Sequence, residues 1–337
     1  MTVDQATRLR ELAEHHESAR KERASADLGA RAKQTAPPVG SSTHKPAFEG
    51  PTRLAHATAF VSGKGGVGKS NLALNLAIAL GCRGRRVVLF DADMGMANLD
   101  VLCGLTPTGT IEDVVRGRIP LREILVQGPG GFQLVPGASG VASMANIDGL
   151  GRRRLLKQLA MLDTVADHLL IDMGAGISSS VMSFAAAADR VLVVTTPEPT
   201  SMTDAYGAIK ALVSRGRDMR IDLVINMAHS EEEGLDVHKR ISRVARKFLG
   251  VDLGLAAVIP QDMLVSQAVR VRRPVLLESP HAPVTRAIDR LARQLDGLPV
   301  DRFDGDSASQ DSGVTSEAPR RGGFFQRFAG SLLSRGR

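Results

Sequence analysis

The stretch 60-FVSGKGGVGKSNLAL-74 places two lysines, Lys64 and Lys69, in one glycine-rich loop. Gly63-x-x-x-x-Gly68-Lys69-Ser70 has the spacing of a phosphate-binding loop, set between an apolar strand candidate and a helical pattern. Glycines at Gly63, Gly65, Gly66 and Gly68 let the backbone N–H groups of the loop, Val67 among them, converge on phosphate oxygens. The helix start behind them, at Ser70 and Asn71, adds the positive end of its dipole. Lys69 is expected at the β and γ phosphates, and the Ser70 hydroxyl on Mg²⁺. Lys64 has no part in that minimal loop. Either it points to water, or it reaches a phosphate, its own or one held by a facing subunit. A second cation helps most where charge develops on a transferred phosphoryl group.

Carboxylates stand where such a loop needs them. In 89-LFDADMGMANLDVLCGL-105, Asp91 and Asp93 alternate at the end of a strand candidate and are expected to face different sides. A later strand candidate, 169-LLIDMGAGI-177, ends in Asp172 followed by Gly174 and Gly176.

These residues need a scaffold, and the chain supplies one. Strand candidates run over 56–62, 86–93, 132–138, 168–174, 190–197, 221–227 and 253–260. Helical patterns at 69–80, 149–166, 178–188, 201–215, 235–248, 262–271 and 282–295 separate most of them. Continuous apolar strands alternating with helices predict an α/β, doubly wound, mostly parallel sheet, with ligands at the carboxyl ends of its strands.

Composition narrows the class. The hydrophobic fraction of 43% allows a sizeable core, which aromatics at 3% and the absence of Trp make aliphatic. Cys82 and Cys103 are the two cysteines, too far apart in sequence for a CxxC pair, so a reduced compartment is expected. Residues 1–50 are charged rather than apolar, and no run reaches the ~18 apolar residues of a spanning helix, so neither a leader nor a span is expected. The net charge of +7 suits an anionic partner. Arg152-Arg153-Arg154 and 239-KRISRVARK-247 read as solvated faces without interleaved aromatics, so a nucleic-acid partner is not the expectation.

KGGVGKS resembles the deviant Walker A motif of the MinD/ParA ATPases, whose extra lysine crosses an ATP-sandwich dimer to the partner's phosphates. The resemblance covers roughly 54–295. It implies ATP and Mg²⁺ as ligands, slow partner-stimulated hydrolysis, and an ATP-bound homodimer in which Lys64 acts in trans. It implies further that Asp91 lies near the Mg²⁺ shell, Asp93 orients the attacking water, Asn98 senses the γ-phosphate side, and Asp172 meets Mg²⁺ through water. The family often reads D-x-P-A-G where this chain has Met173-Gly174, a departure that keeps the carboxylate. Asn226 would read the adenine edge, Pro260 and Asp262 would flank it, and Glu198 would lie near the partner's ribose.

The ends of the chain point to a branch of that family. DQATRLR, Asp4–Arg10, looks like the N-terminal activation motif of the FlhG/FleN regulators of flagellar number, which stimulates an FlhF-like GTPase. The wording of DADMGMANLDVLCGL and VTTPEPTSMTDAYGAIK is similar to that branch, and the D-x-D-P-Q switch typical of ParA is absent. Phe324, Phe325, Phe328, Leu332 and Leu333 share one face of a terminal helix among arginines, the composition of an interfacial membrane anchor. The expected organisation is an arm over 1–52 with an activation helix at 4–13, an ATPase domain over 53–296, a linker over 297–320 and a membrane-targeting helix over 321–337. The protein is then expected in the cytoplasm, reversibly peripheral at the inner face of the cytoplasmic membrane. In some lineages the resemblance adds a flagellar transcription activator or switch-ring proteins as partners. A MinD-type division-site or ParA-type DNA-partitioning role is the alternative. Related iron–sulfur carriers need cysteines late in the chain, and none follows Cys103.

Overall fold

The computed structural model describes residues 54–93, 98–137, 149–216, 219–298 and 322–334. The activation segment 4–13, nearly all of the 297–320 linker and the side chains of Arg152, Arg153, Leu332 and Leu333 lie outside the described residues.

The first strand, β1 (His56–Val61), runs into the glycine loop and then helix α1 (Lys69–Gly81). Strand β2 (Val87–Ala92) follows, then a run of short elements: α2 (Leu99–Cys103), α3 (Ile111–Val115), α4 (Leu121–Ile124), β3 (Val126–Gln127) and β4 (Gln133–Val135). The rest alternates: α5 (Gly149–Val165), β5 (His168–Met173), α6 (Ser179–Ala185), β6 (Arg190–Thr195), α7 (Pro199–Val213), β7 (Arg220–Ala228), α8 (Glu231–Leu249) and β8 (Gly254–Pro260). After β8 come α9 (Met263–Arg270), α10 (Val275–Glu278), α11 (Pro283–Leu295) and the terminal α12 (Phe324–Ser334). No helix among the described residues is long and apolar enough to cross a membrane.

The eight strands form one sheet in the order β3-β4-β2-β5-β1-β6-β7-β8. Among the described residues only the β3–β4 pairing is antiparallel. That edge strand and α2 to α4 leave no mark in the sequence, because elements of two to five residues are too short to show a period. Central strands are buried on both faces, as parallel strands between helices must be. Their side chains alternate between two cores. Val88, Phe90, Leu169 and Ile171 face α5 to α8 and α12, whereas Leu89, Leu170 and Leu192 face α1 and α11. The parity puts Asp91 and Asp172 on the α1 side, and register pairs them directly across β2 and β5.

In this structure the phenylalanine face of the terminal helix, expected as a membrane anchor, docks on the protein's own core: Phe324, Phe325 and Phe328 are buried. Phe328 meets the Phe184 ring edge-on at 4.4 Å, Phe324 does so at 5.1 Å, and Phe325 lies 5.7 Å from Phe90. Phe90, Phe184, Phe324, Phe325 and Phe328 thus form one cluster on this side of the sheet, while Phe60 and Phe132 are buried in the core on the other side. Arg327 pins the helix from the side, pairing with Asp189 at 2.7 Å and donating to the Ala187 carbonyl at 2.8 Å. Phe184→Ala, which empties the centre of this cluster, is expected to lower unfolding free energy by about 3–5 kcal/mol; a urea titration followed by circular dichroism measures it.

Candidate nucleotide-binding site

The glycine loop sits at the carboxyl end of the central strand β1. Gly66 and Gly68 take left-handed backbone angles, φ 82° and 84°. At both, a side chain would be strained, so the motif's glycines are there for backbone shape. Gly68 also has no room: a Cβ would stand 2.4 Å from Asn226 Nδ2. Gly63 is closed in likewise, with the Asp204 carbonyl oxygen 2.1 Å from a notional Cβ. Gly65 and Gly66 instead face open space, the side on which phosphate would lie. Gly68 caps α1 without a side-chain hydrogen bond, which leaves the helix N-terminus to an anion.

Lys69 and Asp172 meet at the centre of the site. Lys69 Nζ donates to Asp172 Oδ1 at 2.6 Å, with side chains only 7% and 1% exposed. Burial pushes the Asp172 carboxyl up, and the Lys69 charge and hydrogen bonds from Lys69 and Ser70 oppose it. Asp172 Oδ2 has no partner. Two other buried hydroxyls at neighbouring strand ends, Ser62 after β1 and Thr196 after β6, are also unmatched. Unmatched buried polar atoms are uncommon, and three at the ends of adjacent strands mark a place for a polar ligand. Among the described residues no group of three or more His, Cys, Asp or Glu could hold a metal alone. Mg²⁺, which binds through one or two carboxylates plus substrate phosphates, suits such a site. Ser70 and Asp172 are the residues that would hold it.

Asp91 is buried beside them. Its oxygens accept the N–H groups of Asp93 at 3.2 Å, Asn98 at 3.1 Å and Leu99 at 3.2 Å. Burial and then the Asp172 charge push its carboxyl up to about 7, against those three N–H groups. In this structure Asp91 therefore ties the backbone of Asp93, Asn98 and Leu99 to β2. The expectation that Asp91 and Asp93 face apart is corrected. Positions two apart share a face in a strand, and β2 ends at Ala92, so Asp93 is outside it. Asp93 raises the carboxyl of Asp172 through its charge and lies against Gly174, whose notional Cβ would be 3.3 Å from Asp93 Oδ1. Both acids thus gather about Asp172. Asn98 is exposed at the N-terminus of α2 and offers that helix no side-chain cap.

Lys64 is held within its own subunit. Its Nζ donates to Glu198 Oε2 at 2.7 Å and to Thr200 Oγ1 at 3.2 Å. The Lys64 hydrogen bond and charge hold the Glu198 carboxyl below its usual range. Glu198 is the N-cap residue of α7, and the Ser201 hydroxyl fixes the turn by accepting the Thr196 N–H at 3.1 Å. A cavity of about 370 Å³ opens beside this pair, lined by Lys64, Val67, Thr196, Met227, His229 and Gln261 among others.

The residues expected about the base stand at the ends of β7 and β8 and at the start of α9. Asn226 Nδ2 donates to the Val67 carbonyl at 2.8 Å, so its amide braces the phosphate loop. Asp262 caps α9, accepting the Leu264 N–H at 3.0 Å, and Pro260 closes β8 opposite Ala228. The neighbours Met227, His229 and Gln261 line the cavity instead. Met227 carries a left-handed φ of 57°, where the β7–β8 register breaks between Ile225 and Ala228. A bulge re-aims a side chain, which residue type alone does not announce. Asn226→Ala is expected to free Val67 and weaken ATP binding about fivefold, the value of one net hydrogen bond; titration with a fluorescent ATP analogue reads it.

Comparison with known proteins agrees with this geometry. The family model for ParA, described as NUBPL iron-transfer P-loop NTPase, matches residues 53–296. The antiactivator FleN of Pseudomonas aeruginosa is 44% identical over 243 residues, 72% of this chain and 86% of FleN. The flagellum site-determining protein YlxH of Helicobacter pylori is 35% identical over 236 residues, 69% of this chain and 79% of its own. Among solved structures, the cell-division protein MinD of Aquifex aeolicus superposes with a TM-score of 0.60 at 28% identity, covering 74% of this chain and 100% of MinD. MinD of Pyrococcus horikoshii, solved with Mg-ADP, gives 0.56 at 27% identity, covering 72% and 96%. With that model matched over most of the chain and FleN 44% identical across 72% of it, the chain belongs to the ParA/MinD family of P-loop NTPases.

Proposed function

We propose that the protein is an ATP-hydrolysing, ATP-dependently dimerising regulator of flagellar number and placement, of the FlhG/FleN type. The observation that carries the mechanism is the second loop lysine. Lys69 already meets Asp172 within the subunit, whereas Lys64 is half-exposed at the rim, on a single ion pair with Glu198. Exposed ion pairs are worth little, so Lys64 is free to change partner. Exposed apolar side chains stand near the carboxyl ends of four strands: Met227 within the last residues of β7, and Val101, Ile177 and Met263 on the segments after β2, β5 and β8. Such a rim supports a second copy docking face to face over the nucleotide. FleN and YlxH support the flagellar role.

In this reading Lys69 and the loop N–H groups orient the triphosphate, and Lys64 of one protomer adds its charge to the partner's γ-phosphate. Asp93 orients a water on the γ-phosphorus. The bond from that phosphorus to the bridging oxygen breaks as the new P–O bond forms, giving ADP and phosphate. Ser70 and Asp172 would hold Mg²⁺, which would supply positive charge to offset the negative charge that develops as the phosphoryl group transfers. Asp4–Arg10 engages an FlhF-like GTPase, and a flagellar transcription activator or switch-ring protein is a further partner. Segment 321–337 engages a membrane surface, which requires α12 to leave the groove in which its phenylalanines lie.

One observation favours the DNA-partitioning alternative. Lys239, Arg243 and Lys247 form an exposed row along α8 without an acidic partner among the described residues, and the neighbouring Phe248 is 65% exposed. Binding to random duplex that falls steeply with salt would select that reading.

Lys64→Ala is expected to keep most ATP affinity while raising the dimer dissociation constant at least about tenfold, as loss of a charge-assisted hydrogen bond implies. Light scattering with a non-hydrolysable analogue decides it, and a normal dimer refutes the trans role. Asp93→Ala is expected to dimerise without releasing phosphate. Pull-down of an FlhF-like GTPase is expected to fail once residues 1–20 are deleted.

A further inference from the structure

A carboxylate is enclosed beneath the docked terminal helix. Asp163, in the last turn of α5, is fully buried. Its Oδ2 accepts the Phe325 N–H at 3.0 Å, in the first turn of α12, and its Oδ1 has no partner. Gly323 presses so closely on it that a Cβ there would stand 2.2 Å from Oδ2. The charged groups facing Asp163 are Arg327 from α12 and Asp189 from the turn before β6. From β1 the approach is a backbone group only, the Ala55 N–H donating to the Asp163 carbonyl at 2.8 Å. Asp189 is itself occupied by Arg327 and by the Ala57 N–H at 2.9 Å.

Two effects compete at Asp163. Hydrogen bonds from a helix N-terminus favour the charged form. Dehydration opposes it, and one oxygen is dehydrated with nothing in return. Where α12 leaves, that oxygen regains water, so the conflict exists only in the docked state. We propose that Asp163 is a release element: a charge enclosed by α12 that makes docking proton-linked and, at neutral pH, weaker than the phenylalanine face alone would make it. The inference rests on the reading that α12 leaves its groove, and it deepens that reading by naming what keeps the groove from holding too tightly.

The direction of the linkage follows from the docked state. Burial pushes the Asp163 carboxyl up from 3.8 to about 6, against hydrogen bonds from Phe325 and Phe324 and the Arg327 charge, with Asp189 adding to the rise. A group with a raised acid constant in the docked state binds its proton more tightly there, so docking strengthens as pH falls below about 6 and is weakest above it.

The chain contains no Trp, so Phe328→Trp in the full-length protein supplies a lone indole on the docked face. Urea titrations with acrylamide quenching, alongside far-ultraviolet circular dichroism, are run at about pH 5 and about pH 7 without nucleotide or lipid. The indole is expected to open to quencher before the helix signal is lost, with a docking constant about tenfold larger at the lower pH. Asp163→Asn keeps an acceptor and removes the charge. It is expected to abolish the pH difference and tighten docking at neutral pH by roughly a hundredfold. Asp163→Ala makes the same pH comparison should the Asn variant not fold, with looser docking than Asn. A pH difference that survives both substitutions, looser docking in Asp163→Asn at neutral pH, or quenching that coincides with global unfolding overturns the proposal. Sedimentation with ATP and vesicles of phosphatidylglycerol and phosphatidylethanolamine is the separate arm. If no variant binds them, the membrane reading falls while the proton linkage stands.

Discussion

The contact between Lys69 and Asp172 governs the site, because it is an ion pair placed where neither partner is hydrated. A buried pair of this kind contributes little net stability and costs much if one partner is removed. Here each partner has a second use. Lys69 is the cation a phosphate would take, and Asp172 keeps an unmatched oxygen that a Mg²⁺-bound water would satisfy. The carboxylate thus stands in for the triphosphate's charge until the ligand arrives, and the ligand replaces one electrostatic partner with another rather than inserting charge into an apolar site. The sheet makes this possible. Asp172 lies on β5 between β1, which feeds the loop, and β2, which carries Asp91, so that the register Phe60–Asp172–Asp91 spans three neighbouring strands.

Around that centre, side chains that could touch a ligand are engaged in holding the loop. Asn226 braces Val67, Glu198 holds Lys64, and Asp91 gathers the backbone on both sides of 94–97. These contacts are of unequal strength. Asp91 is buried with three donors, whereas the Lys64–Glu198 pair is exposed and weak. The latter is the easier of the two to exchange.

Much of this was legible in the sequence. The phosphate loop is a local pattern with a backbone cause, and β1, β2, β5, β6 and β7 announce themselves by apolar content because both of their faces are covered. Legibility failed where the deciding partner is distant. Nothing near Asn226 says that its amide turns to Val67, and nothing near Met227 announces a left-handed residue at a strand irregularity. Alternation puts Asp91 and Asp93, two positions apart, on one face, and what the sequence does not mark is that β2 ends at Ala92. The terminal helix is the clearest case. An apolar face with basic flanks suits a lipid surface and a protein groove alike, and hydrophobic periodicity cannot separate them. What separates them is Asp163, an acid buried at the end of a helix far back in the chain.

The docked helix also constrains how lipid binding could depend on dimerisation. Burying a phenylalanine is worth about 1.5–3 kcal/mol, so withdrawing three from the core forfeits several kcal/mol per protomer. Lipid would return a similar amount for each. Pairing two protomers doubles both sides of that exchange and leaves the balance per helix unchanged. The advantage of a dimer is instead that the second helix inserts without a further loss of translational freedom, at an effective concentration set by its tether. That gain acts only if each helix is already near balance between groove and lipid. A helix held by its phenylalanines alone would sit too deep for avidity to extract it, and a charge enclosed beneath it brings the two states within reach of each other.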